Sequence, residues 1–244
     1  MRRLLLCLSY KGTNYHGFQI QNNGNSVQGE LEKAIKQITN ENITVFPSGR
    51  TDAGVHALKQ YVHFDTNSNI KCQNLVNALN TFLPVDIKVN DITEVDDTFH
   101  ARYNVKKKTY MYVLYKGKVL NPLVADLVAP LEYKIDIEKV RMAKELLKGE
   151  HNFKAFCSSG TSVTDFVRTI YDISLEEKDD YIIIKVTGNG FLYNMVRIIV
   201  GTLVDIGRGK LEPSIIEKML QTGDRSLGGS TAKGQGLYLY NVEY

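Results

Sequence analysis

Only Lys178, Asp179 and Asp180 separate two strand-like runs, TIYDISLEE and YIIIKVTG. A connection this short turns the chain straight back, so the runs form an antiparallel hairpin; parallel neighbours need a crossover of a dozen or more residues. Other stretches read as extended from their β-branched and aromatic content: residues 2–10 (RRLLLCLSY), ITVFPS, LKQYVHFD, IKVNDITEV, FHARYNV, KTYMYVLY and the closing LYLYNVEY. Five helices lie among them. Ser26 is the expected N-cap of VQGELEKAIKQI, whose Val27, Leu31, Ala34, Ile35 and Ile38 share a face. CQNLVNALNTFL carries a stripe of Leu75, Ala78, Leu79 and Phe82. A third helix starts near Ile137, with Asp136 as N-cap and Gly149 as C′. FLYNMVRIIVGTLVDIG is apolar on nearly every side, and PSIIEKMLQ has Pro213 at N1. Strict alternation of strand and helix is absent. The expected class is therefore α+β, with helices packed on a mainly antiparallel sheet.

The 244 residues allow one large domain or two halves. The order of elements repeats, and the boundary falls near Val105, giving halves 1–105 and 106–244. No Pro-, Gly- or Ser-rich linker separates them, so the halves are expected to share one sheet. No apolar run approaches the roughly 18 residues of a membrane span. The N-terminal MRRLLLCLSYKGT has a short apolar run that reads as a first strand rather than a leader, and the expected location is cytoplasmic. The three cysteines form no CxxC pair and the five histidines no HxxxH pair, so no metal site or disulfide framework is expected. The net charge is +3. The cations cluster at Lys106–Lys108 and Arg208–Lys210, with Arg225 alone; such runs are either solvated surface or a groove for a polyanion.

A ten-residue stretch, SGRTDAGVHA from Ser48 to Ala57, sets Arg50, Thr51 and Asp52 in a row between glycines. Glycine permits positive φ or close approach of a partner. In an extended segment Arg50 and Asp52 point the same way. An adjacent guanidinium favours the ionised carboxylate, which suits a nucleophile or base rather than a general acid. No second acid stands in the loop, as a paired-carboxylate glycosidase would need. The plain structural alternative is an aspartate that caps a turn.

A second unusual residue is Arg197, inside the apolar FLYNMVRIIVGTLV helix. A buried arginine requires a partner. On helical spacing Gly190, Asn194, Arg197 and Gly201 share a narrow polar stripe with room at both ends, and Asp52 is a candidate partner for Arg197. A third feature is KKKTYMYVLY, in which Tyr110 and Tyr112 share a face beside a basic run. That pattern serves a core stripe or the stacking of an unpaired base.

GRTDAGVHA, FHAR, the KxTYMY strand, GFLYNMVRIIVG and GQGLYLYNV together resemble the TruA family of tRNA pseudouridine synthases, from Leu4 to the last strand. The resemblance implies a pseudouridine-synthase fold with its active site in the cleft between the halves. It implies that Asp52 is catalytic and that Arg50 and Arg197 orient it. Tyr110 would stack on the target uracil and Leu237 pack against it, with Asn194 joining the substrate-binding set. Lys106, Lys107, Arg208, Lys210 and Arg225 are the candidates for tRNA phosphates. The implied reaction is isomerisation of uridine at positions 38, 39 and 40 of the anticodon stem-loop, with no metal and no organic cofactor. The implied partners are tRNA and a second copy of the chain. Two rivals remain from the residues alone. A non-catalytic RNA-binding protein would use the cations and Tyr110 but has no use for Asp52. A metal-dependent nuclease would use Asp52, His56 and His63 but lacks the acid cluster such a site needs.

Overall fold

The computed structural model describes residues 1–21, 24–160 and 163–244. The chain divides into two compact units, Met1–Lys106 with Tyr238–Tyr244, and Lys107–Leu237. The sequence reading put the final strand in the second half; in the structure its residues from Tyr238 onward count with the first unit.

The first unit contains β1 (Arg2–Tyr10), α1 (Val27–Thr39), β2 (Phe46–Pro47), β3 (His56–Thr66), α2 (Cys72–Phe82) and β4 (Ile87–Val95). β1 lies between two antiparallel partners, pairing Leu6 with Val62 of β3 and with Ile92 of β4. It is buried on both faces: Leu4, Leu6 and Leu8 are fully inaccessible and Leu5 and Cys7 nearly so. That is why RRLLLCLSY shows no alternation. Each such leucine stabilises the fold by roughly 1.5–3 kcal/mol. Ser26 caps α1 as expected, its Oγ accepting from the Gly29 amide at 3.1 Å.

Three expectations in this unit change. ITVFPS shortens to Phe46–Pro47. Pro47 has no N–H for a ladder, and the Val45 amide donates instead to Glu32 of α1 at 3.0 Å. FHARYNV is not extended but turned, with Tyr103 and Asn104 amides both donating to the His100 carbonyl. Asp96 starts the turn just before it by accepting from the Thr98 amide, a local signal in DDT. In α2 the buried face is Leu75, Val76 and Leu79, whereas Ala78 is only half-buried and Phe82, the last helical residue, is exposed.

The second unit contains β5 (Lys107–Tyr115), β6 (Ala129–Pro130), α3 (Ile137–Glu145), β7 (Gly149–Asn152), β8 (Val167–Lys178), β9 (Tyr181–Gly188), α4 (Met195–Gly207) and α5 (Ile215–Thr222). Its sheet runs β5-β9-β8-β7, antiparallel throughout, with β6 added parallel to β5. The β8–β9 hairpin turns at Asp179 (φ 51) and Asp180. Asp136 caps α3 through the Glu138 and Lys139 amides. That helix stops at Glu145, so Gly149 (φ 102) opens β7 rather than closing α3. α4 starts at Met195, four residues later than the apolar run predicts, because Asn194 is left-handed (φ 60). α5 starts at Ile215, beyond Pro213. The chain ends in β10 (Leu237–Glu243), which pairs parallel with the start of β3, Tyr238 with His56 and Leu239 with Ala57. Among the described residues no helix is long and apolar enough to cross a membrane. The three cysteines are free.

Candidate active site

The Ser48–Ala57 loop is held from its backbone and from Thr51. The Thr51 hydroxyl bonds the buried Tyr10 hydroxyl at 2.7 Å, and the Thr51 carbonyl accepts from the Phe18 amide at 3.0 Å. The Ser48 hydroxyl donates to Gln60 Oε1 at 2.6 Å, and Gln60 Nε2 donates to the Gly49 carbonyl at 2.7 Å. Gly54 (φ 74) lets the chain turn, the Val55 amide closing on the Asp52 carbonyl at 3.1 Å. Buried Thr51 is thus the anchor, flanked by exposed Arg50 and half-buried Asp52. Asp52 does start a turn, as the structural alternative had it, but its backbone carbonyl closes that turn.

Residues 11–18 brace this loop. The Gly12 amide donates to His56 Nδ1 at 2.9 Å. A Cβ on Gly12 would stand 2.0 Å from the Val55 carbonyl oxygen, and one on Gly17 (φ 97) 2.6 Å from the Thr51 carbonyl oxygen. Only glycine allows these two backbones to touch. His63 Nδ1 accepts from the Ala101 amide at 3.2 Å, and burial pushes its pKa down to about 4. Both histidines of the nuclease reading therefore have structural uses.

In the second unit Arg197 and Asn194 do share a stripe, but Gly190 lies outside α4. Arg197 Nη1 donates to Asn194 Oδ1 at 2.8 Å, and Nε donates to the Ala232 carbonyl at 2.7 Å. Asn194 Nδ2 donates to Ser158 Oγ at 3.0 Å. Asparagine is suited to this place twice, since it tolerates φ 60 and offers an acceptor and a donor at once. The room expected at Gly201 is filled by the chain itself: a Cβ there would stand 1.7 Å from the Ser230 carbonyl oxygen. On β5, Tyr110 is 8% exposed and meets Phe191 edge-on at 5.1 Å. Tyr112 is fully buried, its hydroxyl donating to the Lys233 carbonyl at 2.8 Å. Leu237 is buried at the start of β10.

The basic residues fall into two groups. Lys106, Lys107 and Lys210 are exposed, with Lys107 Nζ 5.7 Å from the centre of the Tyr171 ring. Arg208 and Arg225 are drawn inward. Arg208 lies 3.6 Å over the Tyr133 ring and 3.4 Å from Asp205, and Arg225 bonds Gly229 and Thr231.

Tyr10, Gly12, Gly17, Phe18, Gln60, Ser158 and Ala232 were not singled out from the sequence. The available signal was length: the segments joining β1 to α1 and α5 to β10 are long, glycine-bearing and aperiodic, as functional loops tend to be.

Residues 6–104 and 143–244 match the family profile described as tRNA pseudouridine synthase. The chain belongs to this family, whose members are isomerases. Over 244 residues it is 45% identical to the tRNA pseudouridine synthase A of an Exiguobacterium species, spanning 100% of this chain and 98% of that protein. It is 44% identical to the proteins of the same name from a Thermoanaerobacter species and from Brevibacillus brevis, with 100% of both chains covered in each case.

Proposed function

We propose that this chain isomerises uridine to pseudouridine at positions 38, 39 and 40 of the tRNA anticodon stem-loop, with Asp52 as the catalytic residue. The observation that carries it is the backbone bracing of Ser48–Ala57, which fixes Asp52 between a buried threonine and a left-handed glycine. In the reaction the C1′–N1 bond breaks, the uracil turns, and C5 joins C1′. C5 loses its proton and N1 gains one, so no atom is added. The target base is first flipped out at a cost of a few kcal/mol. Stacking on Tyr110 returns about 1–3 kcal/mol of that.

Three routes use an ionised carboxylate there: attack at C1′, addition to the pyrimidine ring, or removal of the C2′ proton. Each needs it fixed against sugar and base, the role given to Arg50 and Arg197. Leu237 and Asn194 are assigned to the uracil, which must be kept from water once it is detached. A homodimer in the cytoplasm, with tRNA touching both copies, belongs to the same proposal. The test is incubation with unmodified tRNA transcript and chemical detection of pseudouridine; no pseudouridine at excess enzyme would end this reading, and EDTA should leave the yield unchanged.

Two further outcomes are expected. Gly12→Ala forces the Val55 carbonyl to move and should cost about 1–3 kcal/mol of stability, as overpacking does. Its single-turnover rate should fall at least about tenfold, a small displacement at the reacting centre sufficing, while tRNA affinity holds. Wild-type rate in this variant would mean the brace does not set Asp52. Lys106, Lys107, Arg208 and Lys210 are assigned to tRNA phosphates. Neutralising Lys106 and Lys107 should weaken all tRNAs alike and reduce the slope of log affinity against log salt by roughly 0.7–0.9 per contact. An unchanged slope returns them to solvated surface.

A further inference from the structure

The segment from Arg225 to Leu237 is strapped across α4 and β5 of the second unit by side chains that no sequence pattern ties together. Arg225 Nη2 donates to the Gly229 carbonyl at 2.8 Å and to Thr231 Oγ1 at 3.3 Å. The Gly229 amide donates to Thr202 Oγ1 on α4 at 3.1 Å. Gly229 and Gly201 face each other so closely that a Cβ on Gly229 would stand 2.6 Å from the Gly201 carbonyl oxygen. Next along the strap, Ala232 is joined to Arg197 twice: its amide donates to the Arg197 carbonyl at 3.1 Å and its carbonyl accepts from Arg197 Nε at 2.7 Å. Lys233 is held by the Tyr112 hydroxyl, and Gln235 Nε2 donates to the Ala125 and Val128 carbonyls at 3.0 and 2.9 Å. Leu237 follows directly.

We propose that Arg225 is a positioning residue for the isomerisation: by fixing Gly229 and Thr231 it sets the Ala232 carbonyl that aims the Arg197 guanidinium. This rests on Arg197 having the orienting role given above. It places Arg225 apart from the phosphate-binding cations. A half-buried guanidinium holding two oxygens of its own loop has fewer donors left for a phosphate, and that burial lowers its pKa. The strap has one further property. Arg197 and Leu237 are held by the same run of backbone, so a shift at Gly229 or Thr231 displaces the orienting arginine and leaves the phosphate-facing lysines where they are.

The experiment is a double-mutant cycle on single-turnover rate, with tRNA affinity and its salt slope measured beside it. Arg225→Met should slow the chemical step roughly ten- to a hundredfold, the weight of a charge-assisted hydrogen bond. Affinity and salt slope should stay at wild-type values. In an Arg197→Lys background, where Nε no longer holds Ala232, the same change should slow the step by less than about threefold, since residues acting as one unit are not additive. Arg225→Lys should restore part of the rate. Thr231→Val, which removes one bond and keeps the charge, repeats the cycle where Arg225→Met folds poorly. Multiplicative losses, a wild-type rate for Arg225→Met, or a lowered salt slope with weakened binding would each overturn the inference. A fully active Arg197→Lys enzyme would instead remove the orienting role from Arg197, and this inference with it.

Discussion

Asp52→Asn should leave the fold and tRNA binding intact and abolish pseudouridine formation. The amide has nearly the shape of the carboxylate. Bonds from Thr51, Ser48, Gln60 and the backbone hold the loop, and these survive the change. The uncharged amide is a poor nucleophile and a poor base, so all three routes fail together. A positioned base alone contributes about 10²–10⁴ in rate, and a covalent role contributes more. A purely turn-forming Asp52 predicts the opposite: turnover kept and at most about 1 kcal/mol of stability lost, because asparagine serves turns and caps as well as aspartate. Filter binding and pseudouridine yield at long incubation with excess enzyme distinguish these outcomes. Conversion near the wild-type rate would take Asp52 out of catalysis.

Arg197→Met should cost about a hundredfold or more in single-turnover rate, the penalty of an aspartate displaced by about 1 Å. From the sequence this variant looks benign to the fold. The structure adds a stability cost, since Ala232 O and Asn194 Oδ1 each lose a donor. Both acceptors are only half-buried, so the cost stays below the roughly 1–3 kcal/mol of a fully buried unsatisfied group, and the methionine stem recovers some of the packing. The melting temperature should therefore fall while tRNA affinity stays near normal. Near-normal turnover would take the proposed orienting role from Arg197.

What could be read from the sequence is what depends on neighbours along the chain. Ser26 and Asp136 announce their helices because a cap bonds amides two or three residues ahead. The β8–β9 hairpin follows from a connection too short for anything else. The Arg197–Asn194 stripe follows from helical spacing. What could not be read depends on distant partners. Pro47 ends its strand and Val45 turns to a helix side chain. Asn194 delays α4 by adopting a left-handed backbone. The Ser48–Ala57 loop stands out in the sequence as GRTDAGVHA, yet its brace does not. Nothing marks Tyr10 and Phe18 in the sequence until their bonds to Thr51 are seen.

One pairing has a consequence for how the protein is made. β3 leaves the Ser48–Ala57 loop at His56 and Ala57, and on the side away from β1 those two residues pair with β10, about 180 residues later in the chain. His56 also packs its ring against Tyr238 at 4.8 Å. A ribosome adding about 5–20 residues per second needs roughly 7–26 s to make residues 107–237 after the first unit's other strands have emerged. Throughout that interval the nascent sheet has an open edge beside its aspartate loop, a template for pairing with other chains. The first unit is thus finished last, and loss of residues 238–244 alone would leave the start of β3 with an unsealed edge.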